Sequence, residues 1–170
     1  MIIPFSSIES STIQQACTTI RAASKKRLRD AKLFDFIMQD GIEIPGVHGV
    51  YFFFAADNET CLYVGKNSSP QFIERIPWHF ALGEESWQNH FLKYYRRHYQ
   101  SASLFEAAQA AGDCHILLMP ALHEVIAKAE TFFRVFLKPR FNTLASGRRF
   151  LNLIRIPLDS NLGEAIRCRS

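Results

Sequence analysis

Two tyrosines, Tyr51 and Tyr63, each stand beside a glycine in consecutive apolar runs of the segment GVYFFFAADNETCLYVGK, and Lys66 follows just after the second. A core needs apolar bulk, not two phenols and an ammonium, so the pattern asks for a chemical use. Tyrosines on adjacent strands can present their hydroxyls at one face of a sheet. A free phenol, with a pKa of about 10, is a poor base at neutral pH. A nearby ammonium or metal ion favours the phenolate, and Lys66 is placed in sequence to act on Tyr63, which inclines the base role towards Tyr63 while leaving both tyrosines in play. Arg75 offers a planar fork suited to phosphate oxygens. Glu130 lies in an apolar stretch, AKAETFFRVF, where a partly desolvated carboxylate needs a cation. A single Mg²⁺ or Mn²⁺ with waters and substrate oxygens would satisfy it, and so would Arg134 four residues on. An activated water, a phosphate-binding arginine and charge uptake at a phosphorane together describe phosphodiester hydrolysis.

These residues need elements to hold them. Ser10 or Ser11 can cap a helix starting near Thr12, with Ile13, Cys17, Ile20 and Ala23 at helical spacing. That periodicity carries the helix to about Phe36 or Met38, broken once at most, before Asp40-Gly41 and the loop GIEIPGVHG. GVYFFFA and TCLYVGK read as a hairpin turning at Asp57-Asn58. Ser68 or Ser69 can cap the next helix, with Pro70 at its first position and a kink or restart at Pro77. A basic helix over 86–99, a short helix over 103–112, an apolar strand over 114–120 and a strong helix over 123–138 follow, with a further strand at 150–156. The order predicts an α+β fold: a small antiparallel or mixed sheet of about three strands flanked by helices. Phe52, Phe53 and Phe54 in succession require cover on both faces of the first strand, from helices or from another subunit. The boundaries read as an N-terminal helical extension (1–46), a core (47–143) with a helical insertion near 82–112, and a tail (144–170).

With 48% hydrophobic and 21% charged residues, the chain has enough apolar material for one packed core. No apolar run reaches the roughly 18–20 residues of a membrane span, and MIIPFSSIESS lacks the features of a secretory signal, so a cytoplasmic protein is expected. Four cysteines stand singly, with no CxxC pair, which argues against zinc and against a disulfide framework. The formal net charge of +4 leans towards an anionic partner. The cations cluster in KKRLRDAK (25–32), KYYRRH (93–98), KPR (138–140) and GRR (147–149). Lys25, Lys26, Arg27, Lys93, Tyr94, Arg96, Arg97, His98, Lys138, Arg140, Arg148 and Arg149 are therefore candidate DNA contacts. A solvated helix face is the plain alternative for the first two clusters.

The ordered set resembles the GIY-YIG nucleases. Gly49-Val50-Tyr51 and Tyr63-Val64-Gly65 match the two halves of that motif with the common Ile-to-Val change, and Lys66 follows as in many members. Arg75 and His79 look like the basic pair of the next helix, Glu130 resembles the metal-binding glutamate, and Pro139 and Asn142 in KPRFN resemble the closing Pro-x-x-Asn. The resemblance spans roughly 47–143. It implies the fold of that family and a catalytic set of Tyr51, Tyr63, Lys66, Arg75, His79, Glu130 and Asn142, with Glu130 as the only protein ligand to one Mg²⁺ or Mn²⁺.

The activity implied is a metal-dependent DNA endonuclease of restriction or phage type, site-specific and acting on double-stranded DNA. Cutting both strands often takes a homodimer or homotetramer in this family. A non-catalytic DNA-binding or partner-regulating module on the same fold is one alternative; a nuclease toxin acting on single strands or RNA is another.

Overall fold

The computed structural model describes residues 1–39, 42–43, 48–69, 71–84 and 86–142. Pro70, most of the GIEIPGVHG loop, Arg148, Arg149 and the strand expected at 150–156 lie outside the described residues. In chain order the elements are α1 (Ile13–Ala22), β1 (Lys26–Arg27), β2 (Met38–Gln39), β3 (Ile42–Glu43), β4 (Gly49–Phe54), β5 (Cys61–Asn67), α2 (Phe72–Trp78), α3 (His90–Tyr99), α4 (Leu104–Ala111), β6 (His115–Pro120) and α5 (His123–Leu137). The main sheet has four strands in the order β1-β6-β4-β5, all antiparallel, and β2 pairs with β3 separately. The architecture is α+β, with one strand more than the sequence suggested.

The extra strand comes out of the long helix expected near the N-terminus. Helix α1 starts where expected, but Thr12 caps it: the Gln15 N–H donates to Thr12 Oγ1 at 3.2 Å, and the Thr12 N–H donates to Gln15 Oε1 at 2.9 Å. It stops at Ala22, where the Lys25 ammonium donates to the Arg21 and Ala23 carbonyls at 2.5 and 3.2 Å, satisfying acceptors that the helix end leaves open. Lys26 and Arg27 then pair with Ile116 and His115 of β6. Beside them, the Ile3 N–H donates to the Leu118 carbonyl and the Leu118 N–H to the Met1 carbonyl, so two N-terminal stretches share the outer edge of β6. Sheet pairing, which the local helical periodicity cannot report, decides Lys26 and Arg27.

Strand β4 is buried along its whole length. Phe52 and Phe54 point into one layer with Val50, Val64, Leu117 and Met119, covered by α1 and α5. Tyr51 and Phe53 point into the other, among residues of α2, α3 and α4. Helices of the chain itself thus supply the cover on both faces. Within the hairpin, the Asp57 carboxylate accepts from the Glu59 and Thr60 N–H groups, and Asn58 takes the left-handed conformation at φ 61°. A bulge then opposes Phe53 to Tyr63 and Phe54 to Cys61. It places both Leu62 and Tyr63 with the α2 layer while Val64 joins the α5 layer. The free edge of β5 is covered by the segment after α5: the Arg140 and Phe141 N–H groups donate to the Cys61 and Leu62 carbonyls.

The insertion helix α3 begins at His90 rather than Ser86. Before it, the Asn89 amide donates to the Ala81 and Gly83 carbonyls at 2.7 and 3.0 Å and holds the connecting loop against the helix start. No helix among the described residues is long and apolar enough to cross a membrane. Cys17, Cys61 and Cys114 are buried free thiols.

Fully buried Phe53 packs against the rings of Tyr63, His79, Phe80 and Phe91. Phe53→Ala should cost about 3–5 kcal/mol in a urea unfolding titration. Phe105→Ala, at a ring that is 57% exposed on α4, should shift the same titration by less than about 0.5 kcal/mol.

Candidate active site

Tyr51 on β4 lies opposite Gly65 on β5. A Cβ added at Gly65 would fall 2.4 Å from the Tyr51 Cζ and Oη, so the phenol lies flat across the edge strand in the space the missing side chain leaves. At the far end of that phenol, Tyr51 Oη is 2.6 Å from His79 Nε2. Both residues are fully buried.

His79 reaches this point because α2 ends where it does. The helix begins after Gln71, whose N–H donates to Glu74 Oε2 at 2.7 Å, rather than after Ser68 or Ser69. Pro77 sits in its last turn, so neither a kinked continuation nor a restart follows. The chain closes instead through His79 N–H to the Ile76 carbonyl and Phe80 N–H to the Pro77 carbonyl. That turn sends the imidazole among the rings of Tyr51, Phe53, Tyr63 and Phe91. Arg75, one turn earlier, has its guanidinium over Trp78, and its charge acts on the Tyr51 phenol.

Burial, reinforced by the Arg75 charge, drops the His79 pKa from 6.5 to about 3, so the imidazole is neutral near pH 7. Its Nδ1 is buried without a hydrogen-bond partner among the described residues. Burial raises both phenols above their ordinary value, Tyr51 strongly, and Arg75 is the largest influence in the opposite direction on each. Tyr63 is only partly buried and is the more accessible of the two. Its ring centroid is 6.3 Å from that of Tyr51 and 5.1 Å from that of His79.

Lys66 does not take the place beside Tyr63 that its sequence position suggested. Strand alternation turns it to the α5 side, where its Nζ is 3.2 Å from Glu130 Oε2. Arg134 Nη1 stands 3.7 Å from the other oxygen of the same carboxylate. Glu130 is 14% exposed, and its charge still reaches across the sheet edge to raise both phenols. Arg134 works the other way on Tyr63. In the sequence it figured only as an i,i+4 partner of Glu130; here it belongs to the same electrostatic cluster.

Asn142 is spent on the backbone of β5. Its Oδ1 accepts from the Val64 N–H at 2.7 Å and its Nδ2 donates to the Val64 carbonyl at 2.9 Å. This fixes the strand between Tyr63 and Gly65, so Asn142 positions the tyrosines through main chain.

The candidate DNA contacts divide sharply. Lys25 lies over the Phe54 ring at 4.4 Å, Lys26 pairs with Asp35 at 2.6 Å, and Lys93 donates to the Ser86 carbonyl at 3.0 Å. Arg96 binds Glu84 at 2.7 Å and the Ser101 and Ala102 carbonyls. Tyr94 is half-buried and stacks on His90. Arg27, Arg97, His98, Lys138 and Arg140 are exposed, and Arg140 Nη1 donates to His98 Nε2 at 3.0 Å.

Among the described residues no group of three or more His, Cys, Asp or Glu side chains could enclose a metal. A lone carboxylate suits a hard ion that keeps most of its waters, as Mg²⁺ and Mn²⁺ do, and not a structural zinc. No family model, curated protein or solved structure matches this chain.

Gly65→Ala should expel the Tyr51 phenol or shift β5. We expect a loss of about 1–3 kcal/mol with an altered tyrosine near-UV circular dichroism signal; an unchanged spectrum and stability would refute the packing described. His79 gives a pH signature. A folded pKa below the unfolded one leaves its contribution complete above pH 6.5 and removes it as pH falls towards about 3. Asp35 and Asp57, whose pKa values are lowered by their hydrogen bonds, lose their contribution only below 3.8, so the window between 6.5 and 3.8 is set by His79. Unfolding free energies from urea titrations there should fall by about 1.4 kcal/mol for each pH unit lost in the parent and much less in His79→Gln.

Proposed function

We propose that this chain is a GIY-YIG-type, metal-dependent endonuclease that hydrolyses phosphodiester bonds in double-stranded DNA. The observation that carries this reading is convergence. Tyr51, Tyr63, Arg75, His79 and Glu130 come from four separate elements, and they act on one another at a single edge of the sheet.

In this reading the scissile phosphate lies over Arg75, whose fork binds its non-bridging oxygens and stabilises the charge of the phosphorane. Tyr63, the more accessible phenol, first gives its proton to solvent, helped by the Arg75 and Arg134 charges, and then takes a proton from a water as that water attacks phosphorus. The new P–O bond forms as the bond to the leaving sugar oxygen breaks, and that oxygen takes a proton from solvent. Neutral His79 holds the Tyr51 hydroxyl in place behind Tyr63. Glu130 would hold a divalent cation, which would supply charge for the phosphorane oxygens and offset the carboxylate field that opposes both phenolates. Asn142 keeps β5 in register beneath the reacting groups. Arg97, Lys138 and Arg140 are exposed cations available to flanking phosphates. A restriction- or phage-type role, site specificity and a homodimer or homotetramer belong to this proposal as its biological form.

One observation favours a non-catalytic DNA-binding module instead. Lys66 and Arg134 already neutralise Glu130, which removes the repulsion that a bare carboxylate would exert on DNA.

Cleavage of supercoiled plasmid with Mg²⁺ or Mn²⁺, beside EDTA, separates the two. We expect metal-dependent cutting by the parent and none by Glu130→Gln. Arg75→Ala should be slower by about 10²–10³-fold, and Tyr63→Phe should lose activity without a matching loss of stability. A parent that retards DNA on a gel but never cuts it would establish the binding module.

A further inference from the structure

Both oxygens of Glu130 face a cation of the protein: Oε2 faces Lys66 at 3.2 Å and Oε1 faces Arg134 at 3.7 Å. The cluster therefore already carries a net positive charge before any ion arrives from solution. A hard divalent ion needs direct contact with a carboxylate oxygen at about 2.0–2.1 Å, which the Lys66 ammonium disfavours by repulsion at close range. Among the described residues no group of three or more potential ligands is present to offset this. The two cations also differ in exposure, with the Lys66 side chain at 40% and that of Arg134 at 29%. Lys66 sits on a flexible stem, whereas Glu130 beneath it is 14% exposed, so the ammonium can swing outward without disturbing the core. It also lies on the edge strand next to Gly65, over which the Tyr51 hydroxyl passes.

We propose that Lys66 is an exchangeable stand-in for the divalent cation at Glu130, released when a phosphodiester anion binds and takes the ammonium as its partner. Cation and substrate then bind cooperatively, because each removes the obstacle to the other, and the coupling is reciprocal. An isolated protein holds divalent ions weakly, and its metal site is completed only with a phosphodiester in place. This rests on the reading of Glu130 as the cation's ligand in the proposed nuclease.

The test is Mn²⁺ binding itself, followed by the EPR signal of free Mn²⁺ at matched ionic strength. It uses the parent, Lys66→Met, Lys66→Gln and Glu130→Gln, each with and without diethyl phosphate. We expect both Lys66 variants to bind Mn²⁺ about tenfold more tightly than the parent. Diethyl phosphate should tighten binding in the parent and have little effect in the Lys66 variants, and Glu130→Gln should not bind. Unchanged affinity in both Lys66 variants, while the parent still cuts plasmid, would overturn the exchange and leave the nuclease reading standing. Absence of Mn²⁺ binding in every protein, together with absence of cleavage, would overturn the nuclease reading and the exchange with it.

Discussion

The site depends on one buried contact, the Tyr51 hydroxyl against His79 Nε2. It can form only because Gly65 leaves room for the phenol to cross β5 and because α2 ends one residue before His79. It also selects a protonation state. An imidazole in this layer, with Arg75 beside it, cannot carry charge at neutral pH without a large desolvation penalty. Tyr51 is held equally firmly as a neutral phenol. The pair is an uncharged floor beneath the more accessible groups Tyr63, Arg75 and Glu130.

Those accessible groups are balanced against one another. Burial and the Glu130 charge push Tyr63 away from the phenolate, while Arg75 and Arg134 pull it back. Glu130 is itself offset by Lys66 and Arg134. Shielding the carboxylate further, or bringing a cation to it, shifts both tyrosines in the direction a base requires. The α5 side of the sheet thus tunes groups on the α2 side, although the two layers have separate hydrophobic cores. The path runs around the edge at β5, where the glycine leaves the sheet thin.

Much of this was legible in the sequence, for reasons that differ by residue. The hairpin, β6 and α5 declare themselves by apolar runs and turn residues, which are local signals. The two-sided burial of β4 follows from three successive phenylalanines. What misled was non-local. Lys26 and Arg27 fall in the stretch read as a continuation of α1, yet they pair with β6, nearly ninety positions away in the chain. Lys66 is three residues from Tyr63, but an odd separation in a strand places the two on opposite faces, and the bulge at Leu62 lies just before Tyr63 and leaves that parity intact. The basic clusters were misleading in another way. Composition counts a cation without showing that Lys25, Lys26, Lys93 and Arg96 are spent on carbonyls, a ring and carboxylates within the fold.

The placement at an edge strand follows from the same physics. A site inside a four-stranded sheet would be sealed by helices on both faces, as β4 is. β5 ends the sheet, and a bare sheet edge leaves unpaired amides and carbonyls that loosen the strand and invite misassembly. The segment after α5 resolves this. Arg140 and Phe141 donate to the Cys61 and Leu62 carbonyls, and Asn142 pairs both ways with Val64. Strand pairing by main chain thus gives way to pairing by one side-chain amide just before Gly65, which pins the strand between Tyr63 and Gly65. The KPRFN segment is therefore best understood as part of the scaffold: its asparagine closes the edge of β5, and the chemistry is assigned to side chains the strand presents.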